Sequence, residues 1–258
     1  DAPASFWYTF LTFVGLLWWS NHNADGGGYI IQRMMSAKDE RHALVGTGPM
    51  EAISEVLSHP QALAQCSQWL AEHLPHGGKV GFDPWLHTAG EIEGYEKALD
   101  GSGVHLAPVG NLVDRIWEDQ PAPPSGKVSD QPVELAGESS RDKIARIAKG
   151  IHAAGQKAAV LTLPDSISWL LNIRGSDIPR NPVVHAFAIL HDNGRVSLFL
   201  DPSKVADLGP DPLIDVAPPE AFEAALGGLH GPVRVDKTTA PLAVSRILAE
   251  AGIEVAWG

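Results

Sequence analysis

From Glu51 onward the hydrophobic positions change period repeatedly, from helical to extended and back. Residues 51–57 and 61–73 carry helical spacing, broken at His59-Pro60 because proline restricts the residue before it. Lys79-Val80-Gly81-Phe82 predicts a short strand, and Asp83-Pro84-Trp85-Leu86-His87-Thr88 a turn. Thr88 with Glu91 three residues on predicts a capping box that opens a helix running to Leu99. Val104 to Pro108 reads as a strand and Asn111 to Trp117 as a short helix.

Residues 119–137 break this rhythm. They hold Pro121, Pro123, Pro124 and Pro132 with few apolar positions, the composition of an extended, semi-rigid linker. A domain boundary is expected here, dividing 1–125 from 126–258. Beyond it, Ile144, Ile147, Ala148 and Ile151 share one face of a helix over Ser140–Ala154. Lys157 to Thr162 predicts a buried strand, and Ser166 to Leu171 a short helix. Val183–His191 and Arg195–Leu200 predict two strands around Asp192-Asn193-Gly194, a hairpin signal because Asn and Gly adopt positive φ readily. Further strand-helix units rich in Ala and Pro follow. The alternation predicts an α/β fold with a parallel or mixed sheet.

The 258-residue length suits two ordinary domains. A hydrophobic content of 44% with 19% charged residues excludes a disordered chain. Net charge is −12, which argues against nucleic-acid partners, since those need clustered Lys and Arg. The single cysteine, Cys66, allows no intrachain disulfide, so nothing indicates an oxidising compartment, and the expected location is cytoplasmic. Residues 6–19 form an apolar, aromatic stretch, shorter than the roughly 20 residues of a membrane span. The stretch reads first as a buried segment of the first domain; membrane association and an artefact of the gene end are the competing readings.

The richest cluster of polar chemistry is at 165–182. Trp169, Leu170 and Leu171 run directly into a turn holding Asn172, Arg174, Ser176, Asp177 and Asn181, stiffened by Pro179 and Pro182. The plain structural reading is a local Arg174–Asp177 salt bridge bracing the loop. Other chemistry is poorly supported. No His-Glu-x-x-His spacing, nucleophile elbow or phosphate loop is present. His185 and His191 fall at an even separation in one expected strand, hence on one face, where they approach one another only loosely.

The segment Trp169-Leu170-Leu171-Asn172-Ile173-Arg174-Gly175-Ser176-Asp177 resembles the second domain of the Xaa-Pro aminopeptidases (aminopeptidase P). Asp83–Thr88, Asn111–Asp114 and Ile116–Pro121 resemble the same family and occur in its order. The resemblance spans about 67–257. Before that it departs: Asp25-Gly26-Gly27-Gly28-Tyr29 keeps the family's Gly and Tyr but lacks its Arg.

The resemblance implies two creatinase N-terminal-like (ribonuclease H-like) domains, each a mixed sheet flanked by helices. It implies a C-terminal pita-bread catalytic domain as partner, holding two manganese ions through two Asp, one His and two Glu, with peptides bearing proline second as substrate. No cofactor is expected in this chain, which would be a non-catalytic portion shaping and gating the substrate cleft. A homodimer is compatible with the family. Arg174, Asp177 and Asn181 are the candidates to face the cleft or the catalytic domain, and none is expected to be catalytic. The alternative is a stand-alone interaction module that has kept the fold without chemistry. A hydrolase using His and Ser of this chain alone is a third, weaker reading.

Overall fold

A computed structural model describes residues 60–258. The expected helix at 51–57, the apolar stretch 6–19 and the Asp25–Tyr29 turn lie outside the described residues. In chain order the elements are α1 (Pro60–His73), β1 (Gly78–Phe82), α2 (Ala89–Ala98), β2 (Val104–Pro108), α3 (Leu112–Ile116), β3 (Ser129–Asp130), α4 (Val133–Ala136), α5 (Ser140–Ala153), β4 (Ala158–Leu161), α6 (Pro164–Leu171), β5 (Ile173–Arg174), β6 (Phe187–His191), β7 (Val196–Phe199), β8 (Ile214–Ala217), α7 (Phe222–Gly227), β9 (Val233–Val235), α8 (Leu242–Glu250) and β10 (Val255–Trp257). Helix α1 groups with Val113–Glu118 in one unit, and His76–Leu112 with Asp119–Gly258 in another. Within α1 the Trp69 and His73 rings stack one turn apart, centroids 4.1 Å apart.

The larger unit is built on a six-stranded sheet ordered β10-β9-β4-β6-β7-β8. It is mixed: β4–β6 and β6–β7 are antiparallel, whereas β4–β9, β9–β10 and β7–β8 are parallel. One apolar cluster holds Ile144, Ala148 and Ile151 of α5 with Ile167 and Leu170 of α6. A second joins Phe222 and Leu226 of α7 to Val244 and Leu248 of α8. Both clusters take residues from the sheet: Leu190 and Leu198 join the first, Ile189 and Phe199 the second. Helices therefore flank both faces, as strict side-chain alternation along a strand requires.

The capping box forms as its spacing predicts. Glu91 N donates to Thr88 Oγ1 at 3.2 Å, and Thr88 N donates to the Glu91 carboxylate at 2.8 Å. Strands β1 and β2 pair in parallel beside this helix. The preceding turn is tied to α8: Leu242 N donates to His87 O at 2.7 Å and Ala243 N to Pro84 O at 2.9 Å. Trp85 packs against the second cluster, its ring 6.0 Å from Phe187 and 6.3 Å from Phe222.

Three local expectations need correction. The Pro-rich stretch is not a free linker throughout. Val128 is buried in the first cluster, Val128 N donates to Lys204 O, and β3 pairs antiparallel with β5. The strand expected from Val183 begins only at Phe187, because side chains take the backbone donors before it. Val184 N bonds Ser168 Oγ at 3.4 Å and His185 N bonds the Asp177 carboxylate at 2.8 Å. His185 and His191 thus do not share a strand face. In the hairpin, Gly194 alone takes positive φ (82°), while Asn193 Oδ1 accepts from Arg195 N at 3.0 Å.

Candidate functional site

The loop after α6 is shaped by two braces, one at each end. At its entry, Asn172 closes α6 in the left-handed region (φ 53°, ψ 47°), a conformation Asn tolerates better than most side chains. The same residue supplies an acceptor and a donor. Lys143 Nζ donates to Asn172 Oδ1 at 2.7 Å, and Asn172 Nδ2 donates to Glu138 O at 2.9 Å. Its own carbonyl accepts from Gln131 N at 2.7 Å. Asn172 therefore locks helix α5, helix α6 and the segment between β3 and α4 together.

Lys143 is the unusual member. It is 2% exposed and has no carboxylate within ion-pairing distance among the described residues. Its ammonium group also donates to Trp169 O at 2.9 Å and lies 4.4 Å from the Trp169 ring centroid. A carbonyl, an amide oxygen and an aromatic face thus share the buried charge. The Trp169 residue itself is 46% exposed.

At the far end, the Asp177 carboxylate is fully buried and receives four hydrogen bonds from three donors. Lys204 Nζ reaches both oxygens at 2.9 and 2.8 Å, Gly126 N reaches one at 3.1 Å and His185 N the other at 2.8 Å. The expected Arg174–Asp177 salt bridge is not formed: Asp177 turns inward to Lys204. The reason is access, since the Lys204 ammonium enters the interior beside backbone donors whose desolvation the carboxylate offsets. Burial holds the neighbouring His185 imidazole below its ordinary pKa; the Asp177 charge opposes this and Lys204 adds to it.

Close backbone approach accounts for the glycine in Arg174-Gly175-Ser176. A Cβ on Gly175 would lie 2.4 Å from Val183 O. Gly175 N donates to Pro182 O, which closes the loop. Ser176 is exposed, and its hydroxyl donates to Lys127 O at 3.3 Å.

Of the three residues singled out from sequence, Asp177 is internal, whereas Arg174 and Asn181 are half-exposed. Arg174 makes one side-chain hydrogen bond, from Nη1 to Ile173 O at 3.1 Å. Asn181 N closes the turn onto Ile178 O. The residues that sequence reasoning missed are Lys143 and Lys204. Lys143 carried a signal, because it sits four residues before Ile147 and eight before Ile151 on the apolar face of α5. Lys204 carried none. Among the described residues, no group of three or more His, Cys, Asp or Glu side chains could hold a metal ion. Nor is any helix among them long and apolar enough to cross a membrane.

The Creatinase/Prolidase N-terminal domain matches residues 119–256, more than half the chain. The chain belongs to this family. The creatinase/prolidase match contains both braces and the whole loop. A second match, to prephenate dehydratase, covers only residues 38–93 and shows no membership of that family. A probable Xaa-Pro aminopeptidase P of Neosartorya fischeri is 39% identical over 154 residues, covering 57% of this chain and 23% of that relative. Aminopeptidase P2 of Arabidopsis thaliana is 38% identical over 143 residues, 54% of this chain and 20% of that relative. This creatinase/prolidase chain therefore spans about a quarter of the length of the curated relatives it matches. Among solved structures, the X-prolyl aminopeptidase of Caenorhabditis elegans, a cytosolic enzyme with a di-nuclear active site, superposes with a TM-score of 0.63. Identity there is 26%, over 74% of this chain and 33% of that one.

Proposed function

We propose that this chain is the non-catalytic amino-terminal portion of a metal-dependent Xaa-Pro aminopeptidase. It shapes and gates the cleft in which a catalytic domain releases an N-terminal residue preceding proline. The supporting observation is the double brace. A loop closed through Asn172–Lys143 at one end and Asp177–Lys204 at the other keeps a fixed shape, as a cleft wall must. Arg174 and Asn181 are the residues offered to the cleft or to the catalytic domain, and Asp177 acts through them by holding the loop.

Two manganese ions belong, on this reading, to the catalytic domain. The described donor residues of this chain do not converge on a metal, so no hydrolytic step is assigned to them. The division at 125/126 is part of the same reading and is supported by a family match that starts at residue 119. A cytoplasmic setting follows the C. elegans relative, and homodimerisation is compatible with it.

The test is a chimera. Residues 119–256 of this chain replace the matching segment of the C. elegans enzyme, and cleavage of Xaa-Pro peptides of increasing length is compared with a segment-deleted enzyme. The expected result is that the chimera discriminates by peptide length and the deletion does not. Identical length profiles would overturn gating. Release of amino acids by the isolated 258-residue chain would overturn its non-catalytic status.

A further inference from the structure

The turn Asp83–Thr88 takes no part in the braced loop, yet each of its residues is engaged. Asp83 Oδ1 accepts from Trp85 N at 2.8 Å and Asp83 O from Leu86 N at 3.1 Å, which folds the turn on itself. The carbonyls of Pro84 and His87 then meet the start of α8, where Pro241 supplies no side-chain cap. Leu242 N donates to His87 O and Ala243 N to Pro84 O. Two of the orphan donors that every helix start carries are thus satisfied by residues far earlier in the chain.

The capping is reciprocal. At the start of α2, Gly90 N donates to Lys237 O at 3.0 Å. A Cβ on Gly90 would lie 3.3 Å from that oxygen, so the close approach suits glycine. Thr88 and Pro241 form an antiparallel bridge, and Lys237 Nζ pairs with the Glu93 carboxylate. Trp85 adds the apolar contact, packing on the second cluster beside Phe187 and Phe222, whose rings stack at 4.4 Å.

We propose that Asp83–Glu93 is a clasp that makes residues 76–112 and the six-stranded sheet one cooperative body. The stretch 119–123 is exposed, rich in proline and outside any helix or strand, the ordinary look of a hinge. With the clasp closed it is a boundary in sequence and not a point of bending. Opening the clasp uncaps a helix start on each side and strips Trp85 from its aromatic neighbours in one step. Neither side can therefore loosen alone. The clasp stands whether or not the chain gates a cleft.

Hydrogen exchange of the full 258-residue chain tests this, read at α2 and at the Leu242 and Ala243 amides. In the wild type these sites are expected to exchange through one opening, with the same urea dependence. Trp85→Ala is expected to speed all of them by about tenfold or more. Lys237→Glu sets like charge against Glu93 and should speed them about threefold, and adding Glu93→Lys should reverse the loss. The charge pair carries the test should Trp85→Ala fail to fold. Exchange of α2 that runs ahead of Leu242 and Ala243, with its own urea slope, would overturn the clasp and make 119–123 a hinge. So would a Trp85→Ala or Lys237→Glu chain in which only one of the two helix starts speeds up.

Discussion

Two lysines are buried beside the same loop, and they are accommodated in opposite ways. Lys204 meets a fully buried carboxylate that also collects two backbone N–H groups. Lys143 forms no ion pair among the described residues and donates instead to Trp169 O and Asn172 Oδ1 beside the face of an indole. The first arrangement cancels charge, so each partner needs the other. The second disperses charge over two oxygens and an aromatic face, so losing the ammonium releases acceptors but strands no opposite charge. The two ends of one loop therefore differ in how they should fail.

The largest effect is expected from Asp177→Ala, which strands the Lys204 ammonium in the interior. A loss of about 3–5 kcal/mol in urea unfolding is expected. Adding Lys204→Met should restore much of it, and a double mutant as unstable as the single one would contradict the pairing account.

Lys143→Met tests the opposite end. The replacement fills similar volume and removes no counterion, so a smaller loss of about 1–3 kcal/mol is expected from the released Trp169 O and Asn172 Oδ1. Trp169 fluorescence should shift with it. A loss as large as that of Asp177→Ala would show that the two braces do not differ.

Smaller still is the response to acid. Burial depresses the pKa of His87, His185 and His191, so the folded state binds fewer protons than the unfolded chain. Their contribution is present above the ordinary histidine value, about 6.5, and is lost as pH falls below it. Melting temperature should drop across that range, and His185→Gln should flatten the decline. The smallest effect has the opposite sign: Arg180 holds φ 67°, so Arg180→Gly should gain up to about 1 kcal/mol by relieving left-handed backbone.

Sequence reading succeeded where the signal was local. Thr88 and Glu91 lie three apart and form the box their spacing predicts. Ile144, Ala148 and Ile151 declare the buried face of α5. It failed where the deciding partner was remote. Asp177 was assigned to Arg174, three residues away, but its cation is Lys204, which no local pattern marks. The strand from Val183 looked continuous because nothing in its composition shows that Ser168 and Asp177 take its first donors. Arg174 and Asn181 were legible as candidates, whereas Asp177's inward turn required the fold.

The strand order also governs how the domain can assemble. Strand β4 is made early, yet its neighbours are β6 and β9, so its pairing groups wait for chain synthesised much later. Strand β6 is the first partner β4 can find, and the β6–β7 hairpin closes next. A chain released after α6 would expose β4 on both edges, an open template for aggregation. Nascent protein paused at that point should therefore depend on chaperones until β6 has emerged.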